Sequence, residues 1–365
     1  MQGDVLADER TKSLGFDLEG KDKAGSFAMT DDQILLSLVR ESGLEVMPIG
    51  EALERLPEVR EKYFWKLISP DEDEITKRVN EAPLRGLFAR VKRGRRVILP
   101  LQACYILRSE AFSQIVHNVI IAEEGAEVHL VTGCFTSTHV SSGSHFAVTE
   151  IFLEKNAFLS YSMFHSWAPQ VEVFPKSAAL IEEGAIYVSN YVSLREVKQI
   201  KAFPRMIVKN NAAARSYSII YAPKNSFIDI GSHLVLEGEN SRGESISRTV
   251  STGGKVIARA NLEGKGANCR GHVECHGVLL ENGGVISAIP ELTAFRDDVE
   301  LSHEAAVGRL SEEELLYLEA RGLSEDEAKS LIVRGFMKVD IPGLPQELKK
   351  EMDKIIDMTI GGKEL

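Results

Sequence analysis

A small turn residue, Gly or Asn, recurs ahead of a new β-branched run at Gly94, Gly125, Asn156, Gly184 and Asn211, in steps of 31, 31, 28 and 27 residues. Asn225, Gly254 and Gly283 continue with two steps of 29, offset by 14 from Asn211. Several copies share a local form: Glu124-Gly125-Ala126, Lys155-Asn156-Ala157 and Glu183-Gly184-Ala185. The runs between them are short and β-rich, such as Val97-Ile98-Leu99, Val119-Ile120-Ile121, Ile186-Tyr187-Val188 and Ile219-Ile220-Tyr221. Glu127 to Val131 alternates polar and apolar residues, as a strand with one buried face does. Repetition at this period means one supersecondary unit stacked many times. Strands without long intervening helices exclude a βαβ sheet. The pattern therefore predicts a β-solenoid, with a β-sandwich or propeller as the alternatives.

The flanks have a different texture. Residues 1–80 read as helical. Thr30 and Gln33 have the spacing of a capping box, and Ile34, Leu35, Leu38 and Val39 follow at helical spacing. A second helical stretch is expected from Glu51 to Leu67 with a break near Pro57, and another start at Ser69-Pro70. Residues 1–25, rich in Gly and charge, are expected to be disordered. The repeat region is assigned to residues 81–309, and 310–365 return to helix. There Ser311/Glu314 and Ser324/Glu327 make capping boxes, Gly322 and Gly335 are placed to end the two helices, and Pro342 and Pro345 precede a last amphipathic helix, Gln346 to Met358. Spacing alone reads these helices as an end cap.

Charge and cysteine content narrow the function. The formal net charge is −11, which argues against a broad nucleic-acid surface, and the basic run Lys92-Arg93-Gly94-Arg95-Arg96 reads as a solvated turn. No apolar run is long enough to cross a bilayer, and Met1 to Lys21 lacks the apolar stretch of a secretory signal. Four cysteines are too few for a disulfide framework, so a reducing cytoplasm is the expected location. Cys104 and Cys134 read as buried small apolar residues.

The densest set of soft and borderline ligands is Cys269, His272, Glu274, Cys275 and His276, with His303-Glu304 some 28 and 29 residues beyond Cys275. A step of one coil stacks residues in a solenoid, so thiol, imidazole and carboxylate are expected to meet there. Thiolate and imidazole are the ligands that iron–sulfur clusters and zinc use. The competing reading is that these are ordinary surface histidines. No P-loop, no C-x-x-C pair and no G-x-S-x-G elbow occurs, so ATP hydrolysis is not expected of this chain. Gly253-Gly254 reads as a turn.

The stretch Leu301-Ser302-His303-Glu304-Ala305-Ala306-Val307-Gly308, then Leu316-Tyr317-Leu318 and Arg321-Gly322-Leu323-Ser324-Glu325, resembles the C-terminal signature of the SufB/SufD family. Ala328 and Gly335-Phe336 continue the match, and Asn80-Glu81-Ala82-Pro83, Val119 to Ala126, Thr132-Gly133-Cys134 and Val148 to Ile151 resemble the family upstream. The resemblance implies a mainly β chain: a right-handed parallel β-helix core with helical N-terminal and C-terminal regions. It implies pairing through the C-terminal part of the core, and docking of a SufC ATPase on the C-terminal helices through Leu316, Tyr317, Arg321, Gly322, Leu331 and Phe336. This replaces the end-cap reading.

By the same resemblance, Cys275 falls on the cysteine that accepts sulfur and supports the cluster, His303 and Glu304 fall on cluster-site positions, and Cys134 falls on a cysteine implicated in sulfur delivery. Leu301 stands where SufD often has cysteine and Gly284 where SufB has a second one. SufB-like and SufD-like marks in one chain fit a protein that pairs with itself. The expected assembly is a cytoplasmic homodimeric scaffold carrying a transient iron–sulfur cluster. Its partners would be SufC-type ATPases, a cysteine desulfurase or other sulfur donor, and acceptor proteins, with neither nucleic acid nor membrane. A flavin requirement is not legible. The alternatives are a SufD-like structural partner without a cluster and a solenoid carbohydrate-active enzyme.

Overall fold

The computed structural model describes residues 23–338 and Lys350. The expected helix from Gln346 to Met358 and nearly all of the segment 1–25 lie outside the described residues. The chain opens with β1 (Gly25–Thr30), β2 (Gln33–Val39), β3 (Leu44–Pro48), α1 (Ile49–Arg55), α2 (Pro57–Lys62) and α3 (Glu74–Glu81). Next come β4 (Leu87–Val91), β5 (Leu101–Leu107), β6 (Phe112–Ala122), β7 (Glu127–Thr136), β8 (Ser142–Leu153), β9 (Phe158–Ser166), β10 (Gln170–Ile181) and β11 (Ile186–Ser193). These are followed by β12 (Gln199–Ala202), β13 (Arg205–Val208), β14 (Ala213–Pro223), β15 (Phe227–Leu236), β16 (Arg242–Thr252) and β17 (Lys255–Gly264). The last elements are β18 (Arg270–Leu279), β19 (Val285–Ala294), β20 (Glu300–Arg309), α4 (Glu312–Glu319) and α5 (Glu325–Met337).

Successive strands alternate between two sheets. Sheet A runs β2-β1-β5-β7-β9-β11-β14-β16-β18-β20, and sheet B runs β19-β17-β15-β12-β10-β8-β6-β4-β3 with β13 beside β10 and β15. Apart from β2 and β3, the pairs are parallel and in register. The result is the expected β-solenoid, of about eight turns.

The repeat of small residues has a conformational cause. Gly94, Gly125, Asn156, Gly184 and Asn211 all have φ between 54° and 70°, and Asn240 and Asn268 extend the series. Only Gly, and to a lesser degree Asn, enters this left-handed region at low cost. In the second series Asn225 and Gly283 have positive φ, but Gly253 rather than Gly254 takes the turn.

The inner faces of both sheets make one continuous core, from Phe27 and Met29 to Val273 and Cys275. Two outer faces are covered. Ile49, Ala52, Leu53 and Val59 of α1 and α2 pack on Phe88, Val119, Ile121 and Phe152 of sheet B. Val333 and Met337 of α5 join Val192, Tyr217, Ile219 and Val250 on sheet A. Glu150 pins the segment after α2 to sheet B. Its fully buried carboxylate accepts backbone N–H bonds from Trp65, Lys66 and Leu67, each at 2.6 Å, and lies 2.9 Å from His117 Nε2.

Three local expectations are corrected. Thr30 to Val39 is not a capped helix but part of the β1–β2 hairpin, turned at Asp31 with φ 51°. Its apolar run serves both faces: Ile34 packs on the inner core, Leu35 and Leu36 on the outer cluster of sheet A. Pairing with β1 decides the conformation over local propensity. The helix expected at Ser69-Pro70 begins at Glu74, where Asp73 supplies the cap. Gly335 does not end α5, which continues to Met337 because that last turn buries an apolar side chain against sheet A. The expected break at Pro57, the caps at Ser311 and Ser324, and the left-handed Gly322 are present.

Candidate functional site

Cys134 and Cys275 both lie on the inner face of sheet A. Cys134 on β7 pairs in register with Tyr105 and His165; Cys275 on β18 pairs with Ser247 and Ala305. The order β7-β9-β11-β14-β16-β18 separates them by five strand spacings, about 24 Å along the axis. Both thiols are buried, and burial pushes both up from their usual pKa, helped at Cys275 by the neighbouring Glu274 charge. Each is therefore held as the protonated thiol rather than the reactive thiolate.

The interior between them is polar on one side. Register carries one inner row through Met163, Tyr191, Ser218 and Ser247 to Cys275. A second runs through Ser189, Ser216, Ser245 and Val273 to His303. A third starts at Cys134 and continues through His165, Ser193 and Ile220 to Thr249. Facing them, sheet B presents Ile228, Ile230, Leu234 and Leu262, with Ser232 Oγ 2.8 Å from Ser245 Oγ. Sequence reasoning missed this hydroxyl lining. Its signal is a Ser-x-Ser pair one coil apart, Ser216/Ser218 and then Ser245/Ser247.

Cys134 sits in a ring of buried hydrogen-bonding side chains. His165 Nδ1 accepts from Trp167 Nε1 at 3.0 Å and lies 3.0 Å from Tyr191 Oη, and His145 Nδ1 lies 2.9 Å from Gln114 Oε1. Burial lowers both histidines from 6.5 to about 3, so both imidazoles are neutral.

The last coil is 30 residues long, not 28 or 29: β18 and β20 pair Cys275 with Ala305, Glu274 with Glu304 and Val273 with His303. His303 therefore shares the inner face with Cys275, about 8 Å away between Cα atoms. Glu304 points to the outer face, because neighbouring strand residues alternate. There it meets His276 rather than Cys275: His276 Nε2 is 3.4 Å from Glu304 Oε1, and Nδ1 is 3.2 Å from Glu274 Oε1. Arg248 pairs with Glu274 and lies 5.8 Å from the Phe336 ring of α5. The two carboxylates face opposite ring nitrogens of His276, so they are not gathered at one point. Among the described residues, no group of three or more His, Cys, Asp or Glu stands close enough to hold a metal ion. His272 Nδ1 is 2.9 Å from Ser302 Oγ, and Cys269 is buried under the last turn beside Val299.

The last coil is open. β20 exposes every residue except the half-buried Leu301, and Val285, Ile289, Phe295 and Val307 are exposed apolar side chains. On the C-terminal helices Leu316, Tyr317 and Leu331 are 63%, 57% and 46% exposed. Arg321 stacks over Tyr317 at 4.6 Å, while Phe336 folds back onto sheet A. Three of the four cations of the basic run are paired: Arg93 with Glu124, Arg96 with Glu127 at 2.6 Å and Lys92 with Glu45 at 2.9 Å. No helix among the described residues is long and apolar enough to cross a membrane.

Fold and site together define a β-solenoid with a thiol-bearing, hydroxyl-lined interior that opens at its C-terminal end. Residues 105–336 match the family described as SUF system FeS cluster assembly, SufBD core domain. The chain is 43% identical over 350 residues to an "Iron-sulfur cluster assembly SufBD family protein" of Archaeoglobus fulgidus, covering 96% of this chain and 94% of that one. A protein of the same description from Methanothermobacter thermautotrophicus is 39% identical, covering 97% and 88%. One from Pyrococcus horikoshii is 33% identical, covering 95% and 79%. The chain belongs to the SufBD family of iron–sulfur cluster assembly proteins. This sets aside the carbohydrate-active alternative.

Proposed function

We propose that the chain is a non-catalytic, cytoplasmic scaffold that accepts sulfur and iron and builds a nascent cluster, its cargo, at the open end of a homodimer. One observation carries the reading: Cys134 and Cys275 share the inner face of one sheet, with buried hydroxyls between them. Sulfur arrives when the Cys134 thiol, giving up its proton to the departing donor sulfur, attacks the terminal sulfur of a donor persulfide. The donor S–S bond breaks and the donor leaves as its thiol. No cysteine lines the rows between Cys134 and Cys275, so hydrosulfide takes the outer sulfur from the Cys134 persulfide, restoring the Cys134 thiol and forming a hydrodisulfide anion, which crosses the interior and gives its terminal sulfur to Cys275 with release of hydrosulfide. A separate reductant supplies the two electrons that turn sulfane sulfur into sulfide.

Iron bound at Cys275 deprotonates the thiol outright. His303 lies on the same face and Glu304 on the opposite one. The full ligand set therefore draws on a second copy, with β20 of two subunits facing each other across a two-fold axis. A SufC-type ATPase docks on the exposed Leu316, Tyr317, Arg321 and Leu331. Contact with α5 reaches Glu304 through Arg248, Glu274 and His276. A second reading is a structural partner without a cluster of its own. It is favoured by the failure of Cys275, His303 and Glu304 to converge within one chain.

The test is persulfide labelling with a cysteine desulfurase and cysteine, followed by peptide mass spectrometry. The expected result is one added sulfur at Cys134 and at Cys275, with the Cys275 label lost in Cys134→Ser. Equal labelling of Cys275 in that variant contradicts the route.

A further inference from the structure

On the outer face of sheet B, Phe203 and Pro204 interrupt a strand. β12 and β13 have four residues each, where β8 and β10 have twelve. In the next strand Gly231 pairs with Arg259, and a Cβ at Gly231 would lie 1.9 Å from the Arg259 carbonyl oxygen. No larger residue fits, so the sheet surface is bare at this step. Above it, Ile68, Glu72, Asp73 and Ile75 form a roof, closing a cavity of about 540 Å³.

Most charges in this cavity are matched. Lys176 pairs with Glu72 at 2.8 Å and with Asp73, and Arg259 holds Asp229 by two bonds of 2.5 and 3.1 Å. Two cations are not. Among the described residues, Lys201 makes no ion pair, and Arg205 has no carboxylate partner. The Arg205 guanidinium donates to the Leu67 carbonyl, and its Nε is buried without an acceptor. In the same register row follows His233, which also lines the cavity. The exposed Phe203 ring lies parallel to the His233 imidazole, 6.2 Å between centroids. Buried polar atoms in native proteins nearly always have partners, so the orphaned Arg205 donor calls for a missing acceptor.

We propose that this cavity binds a nucleoside monophosphate. The phosphate pairs with Lys201 and Arg205, and the base lies against Phe203. Glu291, a lining carboxylate without an ion pair among the described residues, stands three strands beyond Arg205 in the same register row, which fixes the anionic end on the Lys201–Arg205 side. The volume suits a ligand of this size. The site is independent of the cluster-assembly reading and survives its failure.

The test is calorimetric titration of the full chain with AMP and with adenosine, repeated on Lys201→Glu. Lys201 is exposed, so its replacement leaves the fold intact; Arg205 tethers Leu67 and is a poorer choice. AMP is expected to bind saturably and adenosine about tenfold or more weakly. Lys201→Glu is expected to weaken AMP by about tenfold or more, the size of a lost charge-assisted hydrogen bond. Absence of saturable AMP binding, equal binding of AMP and adenosine, or an unchanged affinity in Lys201→Glu overturns the proposal.

Discussion

The two ends of the solenoid are built to opposite rules. At the N-terminal end β1 is wholly buried, β2 and β3 turn antiparallel to close both sheets, and Glu150 locks the segment from Trp65 to Ile68 over sheet B. At the C-terminal end β20 continues the parallel order and then stops, with its edge and its inner face exposed. An uncovered strand edge is a template for pairing, and proteins normally blunt it. Among the described residues only one end is blunted. The sealed end supplies stability, and the open end is left for interaction.

The largest effect is expected from exchanging carboxylates between the ends. Glu150→Ala strips several backbone donors and His117 of their acceptor. It should cost about 3 kcal/mol or more in urea unfolding. Glu304→Ala at the open end, with a side chain 67% exposed, should stay within about 0.5 kcal/mol of the parent while losing bound iron. Similar stability losses in the two variants would erase the distinction.

Next comes self-pairing. Val307→Lys places a charge on the open inner face and should convert the dimer to monomer in sedimentation at micromolar concentration. Val39→Lys, on the edge strand of the sealed end, should leave the dimer intact. A wild-type chain that is monomeric throughout breaks the comparison.

Docking should separate from folding. The double variant Leu316→Asp/Tyr317→Ser should lose co-purification with a SufC-type ATPase and keep its unfolding midpoint. Retained binding places the docking surface elsewhere.

The smallest effect is a pH slope belonging to the sealed half. His145 and His165 are lowered by burial, so between about 6.5 and 3 the unfolded chain binds protons that the folded chain does not. Their contribution is full above 6.5 and is lost as pH falls toward 3. His165→Gln should flatten the fall in melting temperature between pH 7 and 4. An unchanged slope removes His165 from the account.

The solenoid was legible because its turns demand left-handed residues, which leaves Gly and Asn at a visible period. The C-terminal helices were legible because Ser311 and Ser324 cap them through local contacts. The β1–β2 hairpin was not, since Ile34, Leu35 and Leu36 feed two cores at once and mimic a helical face. Glu150 carried no signal, because its backbone donors lie 82 to 85 residues away. At the candidate site the residues were legible and their register was not. The last coil is one or two residues longer than the spacing suggested, and a shift of one residue in a strand moves a side chain to the opposite face. That shift carries Glu304 away from Cys275 and toward His276.

The most direct test of the open end as the place of assembly is anaerobic reconstitution of the chain with iron and sulfide, beside Cys275→Ala. Bound iron and acid-labile sulfide are measured per dimer after desalting. The account predicts that the wild-type dimer retains both with visible charge-transfer absorbance, and that Cys275→Ala folds and dimerises but retains neither. Equal iron and sulfide in the two proteins would contradict it.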